Sequence, residues 1–144
     1  MKKMISFTDR EIQRAWRNNL KASEVPSRNN AHRLLLFYAV ECGLKAIIMK
    51  RQGKNRTDLC PNVTNSGHDI NKLLDCLRAG DSLKLPRELL MKMIKTNSEK
   101  EDRTCTTAQI NQMWRYGGTV DSYGDPDLEK QLISISEWIE QELR

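Results

Sequence analysis

The chain is poor in the residues that build metal and disulfide sites. Its 144 residues include only two histidines, His32 and His68, and four cysteines, at positions 42, 60, 76 and 105, with no Cys-x-x-Cys pair. The close ligand spacing of a zinc site is absent, so neither a metal nor another cofactor is expected. Three of the four cysteines fall on or beside apolar helical faces, where a free thiol behaves as a small hydrophobe. Reduced thiols point to a cytoplasmic protein. The longest apolar stretch, Leu34 to Ile48, is broken by Glu41 and Lys45, too short and too charged to span a bilayer. Met1-Lys2-Lys3-Met4 leads into polar sequence rather than an apolar signal core, which argues against export. Period-two alternation, Asn-Gly or Asp-Gly turns and internal repeats are all missing, so no strand is predicted. Gly117-Gly118 lacks the Lys-Ser/Thr of a phosphate-cradling loop, and neither a Gly-x-Ser-x-Gly elbow nor a His-Glu-x-x-His helix occurs.

What is present is the composition of one globular domain spanning residues 1–144, with 38% apolar and 30% charged residues. The net charge of +5 is unevenly placed. Residues 1–60 carry 13 Lys/Arg against 5 Asp/Glu, a balance of +8, and residues 61–144 carry 11 against 14, a balance of −3. A basic half suits a polyanion such as RNA, because each phosphate neutralised releases counterions. It suits equally a solvated surface, or pairing with the acidic half of a second copy.

Helical signals run the length of the chain. Thr8-Asp9-Arg10-Glu11 has capping-box spacing, with Phe7 and Ile12 as a hydrophobic staple, and Ile12, Ala15, Trp16 and Leu20 mark a first helix that must end before Pro26. A second helix, capped by Ser27 and running to about Arg51, is apolar on most of its circumference and must be wrapped by others. Within it Gly43 implies a close crossing, and Glu41 and Lys45 have ion-pair spacing. Gly53 ends this helix, and a polar loop runs from Lys54 to Gly67. A third helix begins near Ser66 or His68 and buries Ile70, Leu73, Leu74 and Leu77. Pro86 starts a fourth, with Leu89, Leu90, Met93 and Ile94 on one side. Thr96–Cys105, with Ser98-Glu99-Lys100-Glu101-Asp102-Arg103, is read as an exposed loop. Thr106 or Thr107 caps a fifth helix through Trp114. Asp125 caps the last, with Pro126 as its first helical residue and Leu128, Leu132, Ile135, Ile139 and Leu143 as its stripe. The expected fold is all-α, a bundle of five to six helices around a long buried central helix.

Three segments carry a family likeness. Tyr38-Ala39-Val40-Glu41-Cys42-Gly43-Leu44-Lys45-Ala46 resembles the central helix of HEPN domains. Gly67-His68-Asp69-Ile70-Asn71-Lys72-Leu73-Leu74 is similar to the His-Asp-Leu start of their next helix. Trp114-Arg115-Tyr116-Gly117-Gly118 looks like the Arg-Tyr segment before their final helix. The resemblance covers roughly residues 28–143. It implies a helical bundle, frequently a homodimer, working in prokaryotic toxin–antitoxin or antiphage defence systems. Many members are metal-independent endoribonucleases, and others are non-catalytic partners of nucleotidyltransferases or binders of RNA or nucleotides; for this chain a co-encoded protein partner is a further expectation. Catalytic members carry an Arg, four to six intervening residues and a His. Here the required positions hold Val25, Pro26 and Ser27 before His32, and Pro61, Asn62 and Val63 before His68, so that motif is absent.

The candidate catalytic residues are therefore His68, at or before a helix N-terminus that favours neutral imidazole, and Arg115, whose guanidinium suits a phosphate. Tyr116 can stack on a base. Arg10, Arg14, Arg17 and Lys21 form a ridge on the first helix that could track a phosphate backbone or be a solvated face. Arg28 and His32, near the start of the second helix, are further candidates for RNA or ligand contact. Each has a structural alternative: His68 as a cap or bonded to the loop above, Asp69 as a helix-start residue, Arg115 binding helix-end carbonyls, Tyr116 covering the core edge, and Tyr38, Glu41 and Lys45 as an internal network. The first functional expectation is a module binding RNA, a nucleotide or a protein partner without canonical catalysis. The second is an endoribonuclease using His68 with Arg115. The third is a protein-interaction module docking through the acidic last helix. No membrane role is expected.

Overall fold

The computed structural model describes residues 5–96, 99–121 and 124–144. The polar start Met1–Met4, and Ser98 in the stretch read as a loop, lie outside them. Among the described residues are six α-helices and one antiparallel hairpin.

Helix α1 (Asp9–Ser23) opens with the anticipated capping box: the Thr8 hydroxyl accepts from the Glu11 amide and the Glu11 carboxylate accepts from the Thr8 amide. It stops three residues before Pro26. Helix α2 (Asn30–Gln52) starts later than Ser27. Its cap is Asn29, which makes a second capping box with His32, the imidazole Nδ1 accepting from the Asn29 amide. The ring nitrogen stands in for the usual Glu or Gln carbonyl, because an unprotonated imidazole nitrogen is an acceptor at the same reach. Gly53, in the left-handed region, ends α2 as expected.

Helix α2 is the axis of the fold. Leu36, Phe37, Ala39, Val40, Leu44 and Met49 are completely buried. At Gly43 two neighbours press against it: a Cβ there would lie 2.7 Å from Ile139 Cγ2 and 3.0 Å from Trp16 Cε3. The glycine is the point where α1 and α6 (Asp125–Glu142) both reach the central helix. Between residues 54 and 67 the chain is more ordered than a polar loop, with a 3₁₀ turn at Thr57–Leu59 and a short α3 (Pro61–Thr64) that buries Val63. Helix α4 (Ile70–Cys76) is capped by Asp69, whose carboxylate accepts from the Lys72 amide.

The all-α expectation fails at residues 86–106. Instead of a fourth helix and a loop, β1 (Glu88–Thr96) pairs with β2 (Glu99–Thr106) in a hairpin. Leu89, Leu90, Met93 and Ile94 have helical spacing, yet only Leu89 is buried, and Leu90, Met93 and Ile94 face solvent. Pairing outweighed propensity. The bulge explains the misleading period: Met91 faces Arg103 and Ile94 faces Glu101, so β1 holds one extra residue and the alternation breaks. The Arg103 guanidinium donates to the Lys92 carbonyl that the bulge exposes. The other edge of β1 is bridged by residues 119–121. β2, with Glu99, Lys100, Glu101 and Asp102 exposed, is charged in the way that protects an edge strand from further pairing.

Asn71 anchors the approach to the hairpin, its amide donating to the Leu85 carbonyl and accepting from the Leu85 amide, both at 2.8 Å. Helix α5 (Ile110–Arg115) follows a 3₁₀ turn (Thr107–Gln109) that Thr106 caps with Gln109. The last helix is capped by Gly124 rather than Asp125. Asp125 is instead its first residue, buried and accepting at 2.8 Å from the Trp114 indole N–H, a tertiary partner that sequence spacing does not reveal. No helix among the described residues is long and apolar enough to cross a membrane.

Adding a methyl group at the crossing of three helices should overpack it. Gly43→Ala is expected to lower unfolding free energy by about 1–3 kcal/mol, despite the roughly 1 kcal/mol that alanine gains in helix propensity. A lower urea midpoint with an unchanged slope checks this.

Candidate functional site

Tyr38, Glu41 and Lys45 lie one turn apart along one stripe of α2, Tyr38 and Lys45 partly exposed and Glu41 buried between them. Glu41 is only 7% exposed, and a carboxylate so placed needs partners. It has two. Lys45 Nζ, one turn on, donates to Oε2 at 3.1 Å, and His68 Nδ1 lies 2.7 Å from Oε1. A carboxylate accepts and does not donate, so the contact puts the imidazole proton on Nδ1. Nε2, on a side chain 49% exposed, has no hydrogen-bond partner among the described residues.

Local structure brings His68 there. Ser66, buried, donates to the Asn62 carbonyl, and Gly67 takes the left-handed conformation (φ +56°) that turns the chain back toward α2. Asp69 then caps α4, so capping falls to it and not to the histidine. Tyr38, one turn before Glu41, places its ring 6.1 Å from that of His68 and accepts a hydrogen bond at its hydroxyl from Arg115. Arg115 is the last residue of α5, and its hydrogen bonds to the phenols, Tyr38 first and then Tyr116, raise its pKa further above the ordinary guanidinium value. His68 and Arg115 thus flank one tyrosine.

Beside this cluster lies a groove of about 350 Å³ whose lining includes Phe7, Ile12, Cys42, Lys45, Val63 and His68. Its outer wall is the segment before α1, held by mutual hydrogen bonds between Phe7 and Thr57. Phe7 and Ile12 also line the adjoining groove of about 410 Å³ that includes Arg14 and Asn18. Phe7 enters the sequence reading only as a staple, Val63 only as a position without the motif arginine and Thr57 not at all, because the groove forms only when residues 7–9 pair with 55–57.

The remaining expected residues separate into two sets. Arg10, Arg14, Arg17 and Lys21 are all exposed along α1, and no ion pair engages them among the described residues. Tyr116 is 79% exposed and covers no core edge. Arg28 and His32 are engaged internally. Arg28 donates to the Ser23 carbonyl and lies 3.6 Å from Glu129, which Arg33 holds at 2.6 Å, while His32 completes the α2 cap. Of the acids in the last helix, Asp125, Glu129 and Glu142 are likewise bound within the chain. Among the described residues no three His, Cys, Asp or Glu side chains cluster as metal ligands would.

No protein-family model, no curated protein and no solved structure matches this chain.

Burial, with Glu41 adding repulsion, pushes the Cys42 thiol in the groove up to about 11, and burial alone does the same for Cys105. The thiolate is the reactive form. At neutral pH iodoacetamide should label exposed Cys76 first, with Cys42 and Cys105 reacting only as pH approaches their raised values. Peptide mass spectrometry reads the order.

Proposed function

We propose that the chain is a helical module of HEPN type that binds single-stranded RNA along the α1 ridge and the groove ending at His68. The observation that carries this reading is the meeting on one face of three segments far apart in sequence. These are Tyr38, Glu41 and Lys45 from α2, His68 before α4 and Arg115 closing α5. They are the segments in which the family resemblance lies. Unpaired cations on α1 offer a backbone track, and the shared wall at Phe7 joins that track to the polar cluster. Arginine suits phosphate, and exposed aromatic rings suit unpaired bases. The reading includes a cytoplasmic location, from the reduced cysteines, and, as the resemblance implies, a homodimer acting with a co-encoded partner in a defence or toxin–antitoxin assembly. The hairpin is a departure from the bundle that the resemblance implies.

The Glu41–His68 contact favours a second reading, metal-independent RNA cleavage. With its proton on Nδ1 oriented by Glu41, His68 would take the proton of a ribose 2′-hydroxyl at Nε2. The 2′-oxygen attacks phosphorus, the P–O5′ bond breaks, and Arg115 offsets charge on the phosphoryl oxygens. A proton from the Tyr38 hydroxyl or water completes the 5′-hydroxyl, leaving a 2′,3′-cyclic phosphate.

Two outcomes are expected. RNA affinity should fall steeply with salt, and Arg14→Ala should reduce the log–log slope by about 0.7, the value for one single-strand phosphate contact. Filter binding across a salt series checks it, and salt-independent or absent binding would sink the first reading. For the second, RNA incubated with a chelator should yield cyclic-phosphate ends, with the rate reduced roughly 10²–10⁴-fold in His68→Ala. Intact RNA with wild type removes the catalytic reading and leaves binding.

A further inference from the structure

We propose that the cleft between the hairpin and α5 is a base-binding subsite, taking one unpaired nucleobase beside a phosphate held at Arg115. The proposal rests on the RNA-binding reading and extends it to the far side of α5. The cleft encloses about 260 Å³, with Met91, Cys105 and Met113 among its apolar lining and Gln109, Gln112 and Tyr116 supplying polar groups.

Tyr116 is the most exposed large hydrophobic side chain among the described residues. Its packing contribution to the fold is correspondingly small, and an aromatic face open to solvent beside a cation is the platform on which bases stack. Methionine is soft and polarizable and makes favourable contacts with aromatic rings, so Met91 and Met113 suit a flat heterocycle. The polar groups match as well. Gln109 Oε1 accepts from the Thr106 amide, which fixes that side chain and leaves its NH₂ as a donor. The Gln112 carbonyl accepts from the Tyr116 amide, but its side-chain amide makes no hydrogen bond among the described residues and offers both a donor and an acceptor, the pairing that a base edge presents.

Contiguity with the first site comes from consecutive residues. Arg115 turns toward Tyr38, donating to its hydroxyl, while the next residue, Tyr116, lines the cleft. A strand whose phosphate meets Arg115 therefore has an adjoining base within reach of Tyr116. The turn is fixed behind them: Gly117 has positive φ, and the Gly118 amide donates to the Met113 carbonyl at 2.7 Å.

Methyl-labelled methionine NMR on the full chain tests the subsite, with adenosine 5′-monophosphate and ribose 5-phosphate as probes. The nucleotide should shift the Met91 and Met113 methyl signals and leave Met49, buried on α2, unmoved. Ribose 5-phosphate should move none of them. Tyr116→Ala should weaken nucleotide binding about tenfold, the loss of one stacked base, while Tyr116→Phe keeps it. Unmoved Met91 and Met113, equal shifts with ribose 5-phosphate, or unchanged affinity in Tyr116→Ala would each overturn the subsite. Salt-dependent RNA binding with unmoved methyls overturns the subsite alone. Shifted methyls without any RNA binding overturn the RNA reading and leave a nucleotide site.

Discussion

A carboxylate buried on the central helix α2 constrains much of what surrounds it. Glu41 sits where α2 is wrapped by its neighbours, and an unpaired charge there would cost several kcal/mol. Lys45 satisfies one oxygen from the same helix, but the second oxygen needs a group from elsewhere in the chain. His68 supplies it, across 27 residues, and the contact fixes both the imidazole's orientation and its tautomer. The candidate site is thus a consequence of satisfying one buried acid, with Tyr38 and Arg115 extending the same polar seam.

The distribution of charge follows the same logic. Where basic residues meet α6, they are paired: Arg28 and Arg33 share Glu129 at the start of α2, and Arg51 reaches Glu142 at the other end. Along α1, Arg10, Arg14, Arg17 and Lys21 stand in solvent and make no ion pair among the described residues. An excess of +8 over residues 1–60 therefore overstates the positive surface near α2 and concentrates it on α1. Surface ridges of this kind gain little stability from ion pairs, so their contribution is to the field that an approaching polyanion meets.

The hairpin separates local signals from global ones. Its first strand has residues that favour helices at helical intervals, and its second is a run of charges with Cys105 as its one buried hydrophobe. Neither shows alternation, because one β-bulge shifts the pattern and most of the hairpin faces water on both sides. Pairing is instead specified by partners outside it. Asn71 clamps Leu85, Thr107 donates to the Pro86 carbonyl, and residues 119–121 hold the other edge of β1.

The sequence by itself determined the elements whose signals are local. These include the Thr8–Glu11 box, the Gly53 stop, the long apolar α2 with its glycine crossing and the stripe of α6, whereas the helix expected from Ser66 or His68 starts at Ile70 with Asp69 as its cap. It also singled out His68, Arg115, Tyr116 and the α1 ridge as candidates, because each chemistry is carried by a single residue type. Only the tertiary structure decided which of them share a face, that Arg28 and His32 serve the fold, and that residues 88–106 pair as strands. The physical reason is common to all three. Capping and helical periodicity act over a few residues, whereas the partner of a buried charge, a groove wall and the anchor that holds the hairpin in place come from segments 21 to 96 residues away.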